Sequence, residues 1–180
     1  MYPITAQITD VQSKLLANLV DEHKVKSVLE IGTLYGSSAA VFADAVGNDG
    51  SVVTIERMRE NYEIASKNLV SYTNVELIHE DALSYLPKIN QKFDLIFIDA
   101  NKSKYPFYLE QGLRLIADHG IIVADNTNFR GMVLTDEEPP KRYRAIVSAL
   151  REFHQMLEQL DQYKVEQLEI EDGVTIIIKL

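Results

Sequence analysis

No cysteine occurs anywhere in the 180-residue chain, which excludes disulfides, thiolate zinc sites and cysteine nucleophiles. No apolar run approaches the roughly 18 residues needed to span a bilayer. The start, Met1-Tyr2-Pro3-Ile4, lacks the basic-then-apolar pattern of a secretion signal, so the cytoplasm is the expected location. Positive charge is scarce: 18 Lys and Arg stand against 27 Asp and Glu, a formal charge of −9. Phosphate binding relies on clustered Lys and Arg, so nucleic acid is not expected as a partner. Eight Gly, five Pro and no biased tract argue against disorder and repeats. What remains, at 46% hydrophobic and 25% charged residues, is enough for one sizeable core. With no composition shift to mark a linker, residues 1–180 are expected to form a single domain.

Helix and strand signals alternate. Thr9 and Gln12 have capping-box spacing ahead of an apolar stripe of Val11, Leu15, Leu16 and Leu19, predicting a helix start. Val28 to Ile31 reads as a strand, followed by a turn with Gly32 and Gly36 and a helix from about Ser37. Ser51 to Ile55 is a second strand, closed by Glu56, and a helix from about Arg59 to Leu69 follows. Val75 to Ile78 makes a third strand, ending at His79-Glu80-Asp81-Ala82. Phe93 to Ile98 is a short apolar run bounded by charge, the pattern of a strand buried on both faces of a parallel sheet. A helix over Tyr105 to Ile116 is predicted next, with His119-Gly120 as its stop and Ile121 to Ala124 as the fifth strand. Tyr143, Ile146, Val147, Leu150 and Leu157 mark a long final helix. The turn Glu171-Asp172-Gly173 is too short for a parallel crossover, so the strands from Tyr163 to Ile170 and Val174 to Leu180 must form an antiparallel hairpin. The expected fold is a doubly wound, Rossmann-like α/β sheet, mostly parallel, ending in that hairpin.

Acids punctuate the strand ends. Glu30, Glu56, Asp81, Asp99 and Asp125 each lie at or just past the carboxyl end of a different predicted strand. Parallel strands put those ends on one edge, where open α/β sheets bind ligands. One such acid alone is most simply an N-cap. Five together repel one another unless a cation or a hydroxyl-rich ligand occupies the rim.

The glycine pair lacks the G-x-G-x-x-G spacing of pyrophosphate binders, and Glu30 would repel a diphosphate. That favours a nucleoside with a positive group over a nicotinamide dinucleotide. Glu56, about 20 residues downstream, is placed to accept hydrogen bonds from a ribose diol. Asp99, Asp125 and Asn126 supply oxygen donors at the ends of two strands, the ligand type that hard divalent cations prefer. Lys102, just past Asp99, is suited to proton transfer beside a bound metal. The histidines His23, His79, His119 and His154 are too scattered for a zinc site.

The stretches Leu29-Glu30-Ile31-Gly32-Thr33-x-x-Gly36-x-Ser38-Ala39, Phe97-Ile98-Asp99-Ala100-x-Lys102 and Val123-Ala124-Asp125-Asn126-Thr127-x-x-x-Gly131 resemble the metal-dependent O-methyltransferases. That family includes catechol and caffeoyl-CoA O-methyltransferases and small bacterial relatives. The similarity runs from about Ile8 to Leu180. It implies a seven-stranded class I methyltransferase fold, with S-adenosylmethionine and a divalent cation as cofactors: Mg²⁺ first, Ca²⁺ or Mn²⁺ as alternatives. It also implies that Glu30, Gly32, Gly36 and Ser38 surround the methionine portion and that Glu56 holds the ribose. Asp81-Ala82 would meet the adenine, with Ile8 and Asp99 also bordering the cofactor. Asp99, Asp125 and Asn126 would bind the metal and Lys102 would act as general base. The partner implied is a small hydroxyl acceptor, catechol-like or with vicinal hydroxyls.

The sequence departs from the family in places. About 25 residues precede the first strand where the family usually has further helices, so acceptor identity and a homodimer both stay open. Ser37, Phe129 and Asn101 replace a common tyrosine, tryptophan and aspartate. Two other readings are a nicotinamide-dependent oxidoreductase and a non-catalytic protein that binds S-adenosylmethionine.

Overall fold

The computed structural model describes residues 8–180. Thr9 opens the first helix, α1 (Asp10–Glu22): its hydroxyl accepts from Gln12 N and the Gln12 side chain accepts from Thr9 N, the reciprocal pair of a capping box. The apolar stripe of α1 buries Leu16, Leu19 and Val20.

Seven strands follow: β1 (Ser27–Ile31), β2 (Ser51–Glu56), β3 (Val75–His79), β4 (Phe93–Ile98), β5 (Ile116–Asp125), β6 (Tyr163–Leu168) and β7 (Val174–Lys179). They form one sheet in the order β3-β2-β1-β4-β5-β7-β6. The first five run parallel, while β7 is antiparallel to both β5 and β6. This is the expected mixed α/β architecture. The chain winds outward in one direction from β1 and in the other from β4, so these neighbours flank the switch point at which such sheets bind ligands.

Strand periodicity builds a core on each face. Val28, Leu95, Phe97, Ile121 and Val123 pack with Leu16 and Leu19 of α1 and with Phe42 and Val46 of α2 (Ser37–Val46). Their sequence neighbours Leu29, Ile96, Ile98, Ile122 and Ala124 point the other way. There they meet Tyr105 and Leu109 of α5 (Tyr105–Leu115) and Leu150 and Phe153 of α6 (Arg144–Leu157). Burying a branched aliphatic or aromatic side chain contributes about 1.5–3 kcal/mol, so continuous apolar runs are what a sheet covered on both faces requires. The remaining helices are α3 (Arg59–Asn68) and the single turn α4 (Ala82–Tyr85).

Three details differ from the sequence reading. First, β5 begins at Ile116, not Ile121, and α5 ends at Leu115. Asp118, His119 and Gly120 form an irregularity inside the strand, where partners jump from Phe93–Ile116 to Leu95–Ile121. A Cβ on Gly120 would lie 2.9 Å from the Asp94 carbonyl oxygen, so the glycine permits a close strand approach there. Second, α4 and the 3₁₀ turn Leu86–Lys88 stand between β3 and β4, too short to leave a periodic signal. Third, the last helix starts at Arg144 behind a 3₁₀ turn at Lys141–Tyr143, and β6 ends at Leu168. The terminal hairpin is antiparallel, as expected.

Candidate active site

The carboxyl ends of the parallel strands open into two adjoining cavities of about 310 and 340 Å³, with Gly32, Leu34 and Asp99 common to both. The first is walled by Ile8, Thr9 and Gln12 of the α1 start, by Ser38, and by Asp125 and Asn126. The second is walled by Glu56, Asp81, Ala82 and Tyr108.

Gly32 makes the shared floor. Its φ is +102°, and a Cβ there would lie 2.2 Å from the Asp99 carbonyl oxygen, so no side chain fits. Gly36, at φ +86°, has a different role: it does not line either cavity, and its missing Cβ makes room for the Leu69 side chain.

Glu30 is fully buried beneath this floor and lines neither cavity. Its carboxyl accepts from the Ser38 hydroxyl and from Thr54 Oγ1, which in turn contacts Thr33 Oγ1. Burial pushes its pKa up to about 8, only partly offset by the two hydroxyls. Glu56 accepts from Leu34 N at 2.9 Å and Met58 N at 2.7 Å, which clamps the two loops bordering the second cavity. Asp81 caps α4 through Leu83 N at 2.9 Å while also facing that cavity, so the N-cap role and a ligand-facing position coexist.

At the ends of β4 and β5 the arrangement is more open. Asp99 Oδ1 accepts from Lys102 Nζ at 2.8 Å, with the lysine side chain 16% exposed and the aspartate 42%. The Lys102 ammonium also lies 5.5 Å from the Tyr105 ring centre. The buried Tyr105 hydroxyl reaches the carbonyls of Ile98 at 3.1 Å and Asp125 at 2.7 Å, tying the two strand ends together. Asp125 accepts from Asn126 N at Oδ1 and from Gln12 Nε2 at Oδ2, each at 2.8 Å. Burial, reinforced by repulsion from Asp99, pushes its pKa up to about 6. Asn126 sits at φ +53°, and its Nδ2 is turned toward Asp125 at 3.3 Å. Among the described residues, no hydrogen bond engages Asp99 Oδ2 or the Asn126 side-chain oxygen.

The donor chemistry suits a hard divalent cation: two carboxylates, one amide oxygen, and a mutual repulsion that a cation would relieve. It does not suit a soft or histidine-bound metal; among the described residues no group of three or more His, Cys, Asp or Glu could hold a metal ion of any kind, so the Asn126 amide has to complete the set.

Of the residues singled out in the sequence, Ile8, Gly32, Ser38, Glu56, Asp81, Ala82, Asp99, Asp125 and Asn126 border the joined cavities, and Lys102 is attached through Asp99. Glu30 and Gly36 stand behind them. Sequence reasoning missed Glu171 and Gln12 as wall residues. Glu171 read only as a turn. Gln12 carried a signal, the capping-box spacing, but that signal points to a helix start and not to a site.

Comparison with known proteins identifies the family. The O-methyltransferase family model matches residues 3–180. A caffeoyl-CoA O-methyltransferase of Populus kitakamiensis is 33% identical over 180 residues, covering 94% of this chain and 76% of the relative. The catechol O-methyltransferase of Mycobacterium tuberculosis is 36% identical over 131 residues, covering 71% and 60%. Among solved structures, the O-methyltransferase TomG from Streptomyces achromogenes in complex with SAM superimposes with a TM-score of 0.88 at 31% identity, covering 96% of this chain and 81% of that one. A Bacillus cereus O-methyltransferase in complex with SAH gives a TM-score of 0.86 at 27% identity, covering 98% and 84%. The chain belongs to the O-methyltransferase family.

Proposed function

We propose that this member of the O-methyltransferase family is a cytoplasmic, divalent-metal-dependent enzyme that moves the methyl group of S-adenosylmethionine to one hydroxyl of a catechol-like or vicinal-hydroxyl small molecule. The observation that carries the reading is the meeting of Asp99, Asp125 and Asn126 at the rim of a cavity continuous with the Glu56–Asp81 cleft. The names of the relatives, caffeoyl-CoA and catechol O-methyltransferases, support the acceptor class. The cofactor-bound neighbours support the methyl donor.

S-adenosylmethionine supplies the electrophilic methyl; the second cavity would take its adenosine, with Glu56 on the ribose and Asp81-Ala82 beside the adenine. Ser38 and the backbone around Gly32 would hold its methionine portion. A divalent cation held by Asp99, Asp125 and Asn126 would acidify a chelated hydroxyl and compete with Lys102 for Asp99. As the neutral amine, Lys102 Nζ would take the acceptor proton. Its contact with Asp99 at 2.8 Å puts it beside an acid that borders both cavities. The walls do the rest by orientation: fixing two reactants in a near-attack geometry contributes about 7–11 kcal/mol. Family membership leaves the nicotinamide and non-catalytic readings without support.

The test is methyl transfer from labelled S-adenosylmethionine to a panel of catechols, caffeoyl-type acids, flavonoids and other vicinal-hydroxyl compounds, with Mg²⁺ and with EDTA. Methylation that is abolished by EDTA and restored by Mg²⁺ is expected. Full activity in EDTA refutes the metal role, and no transfer to any vicinal-hydroxyl compound refutes the acceptor class.

A further inference from the structure

Gln12 does two things at once. Its Oε1 accepts from the Thr9 backbone N–H at 3.5 Å, completing the capping box of α1. Its Nε2 donates to Asp125 Oδ2 at 2.8 Å, across 113 residues of sequence. The amide has only one orientation that works here. Turned over, it would set a donor against the Thr9 N–H and an acceptor against the Asp125 carboxylate. Thr9 in turn donates its hydroxyl to Glu171, so the start of α1 is pinned to both the β5 end and the β6–β7 turn. Gln12, Thr9 and Glu171 all line the same cavity as Asp99, Asp125 and Asn126.

A capping box accepts Glu as readily as Gln at this position, and the negative end group would even favour the helix N-terminus. Helix formation therefore does not explain the glutamine. The contact with Asp125 does, because an ionised glutamate cannot donate. With Asn126 N on one carboxylate oxygen and Gln12 on the other, the Asp125 side chain is held from both sides, the arrangement by which outer partners orient a metal-binding carboxylate.

We infer that Gln12 is a positioning residue for the metal edge of the cleft: its amide fixes the Asp125 carboxylate toward the cavity and links that edge to the start of α1. The inference rests on the metal reading above. Loss of such an outer partner weakens metal binding about 10–100-fold.

The experiment is titration calorimetry of MnCl₂ into the wild-type chain and two variants, with S-adenosylhomocysteine present in excess. Gln12→Glu keeps the capping box and removes the donor. Gln12→Met keeps the approximate shape and removes both donor and acceptor. Both are expected to bind Mn²⁺ about 10–100-fold more weakly, with S-adenosylhomocysteine affinity unchanged, and the metal concentration for half-maximal activity should rise in parallel. Melting temperature should fall for both, for Gln12→Met through loss of the capping acceptor and for Gln12→Glu through the new carboxylate beside Asp125. Wild-type Mn²⁺ affinity in either folded variant overturns the inference, as does tighter binding by Gln12→Glu. If the wild-type chain binds no Mn²⁺, the metal reading fails first and visibly, and the role of Gln12 fails with it.

Discussion

The two halves of the cleft treat their acids differently. On the β1–β2 side, each carboxylate is tied to groups that stay put. Glu30 is sealed among Ser38 and Thr54, and Glu56 spans Leu34 N and Met58 N. On the β4–β5 side the hold is looser at Asp99, which only a lysine side chain engages, while Asp125 is fixed by Gln12 and by the backbone N–H of Asn126. Acids bound to backbone or buried hydroxyls shape a site. Acids held by a mobile ammonium can release it to another cation, which is what a reacting centre needs. The same residue type at the same structural position, the end of a parallel strand, thus meets two different environments according to what its oxygens touch.

The contrast makes graded demands. Asp99→Ala or Asp125→Ala should cut methyl transfer by about 10³-fold or more, and EDTA should do the same to the intact chain. Equal activity in the variants would erase the distinction between the halves. Lys102→Ala should lower kcat by about 10²–10⁴-fold, the usual contribution of a positioned base. Its affinity for S-adenosylmethionine should not change, and a loss confined to that affinity would move Lys102 out of the chemistry. On the other side, Glu56→Ala removes two backbone hydrogen bonds to a carboxylate, each worth about 1.5–3 kcal/mol. Its KM for S-adenosylmethionine should rise about 10–100-fold while kcat falls less, and the reverse pattern would contradict a binding role.

The smallest effect concerns Glu30 and is read as stability. Its folded pKa is raised by burial from 4.5 to about 8, so between those values the folded chain holds a proton that the unfolded chain releases. Stability from this group is fully present below about pH 4.5 and is lost as pH rises through about 8. Glu30→Gln does not titrate. Denaturant melts of the variant should show a pH dependence between 5 and 8 flatter by roughly 1–2 kcal/mol, less than the full shift implies because the surroundings relax around a buried charge. Parallel curves for the two proteins would show that Glu30 stays ionised beneath the floor.

Much of this was legible before any coordinates. Short apolar runs closed by an acid marked the β2, β4 and β5 ends, because burial on both faces demands continuous hydrophobicity and the strand must then meet water. Thr9 and Gln12 marked the first helix through a purely local exchange of hydrogen bonds. The terminal hairpin followed from loop length alone. Where local signals were weak, the reading slipped. The α4 turn left no periodicity, and the pair His119-Gly120 looked like a helix stop but lies within β5, where strand pairing overrode the turn chemistry. The motif alone does not show that the missing side chain of Gly36 makes room for Leu69 at the end of α3.

Residue order by itself determined the alternation of elements, the antiparallel ending and the placing of five acids on one edge of the sheet. These follow from periodicity and loop length, which act over a few residues. Only the tertiary structure decided which of those acids face the cleft. It sank Glu30 beneath the floor, left Asp99 open beside Lys102, and brought Gln12 of the first helix to the carboxylate of Asp125. Burial and hydrogen-bond partners are settled by distant parts of the chain packing together, and no local pattern encodes them.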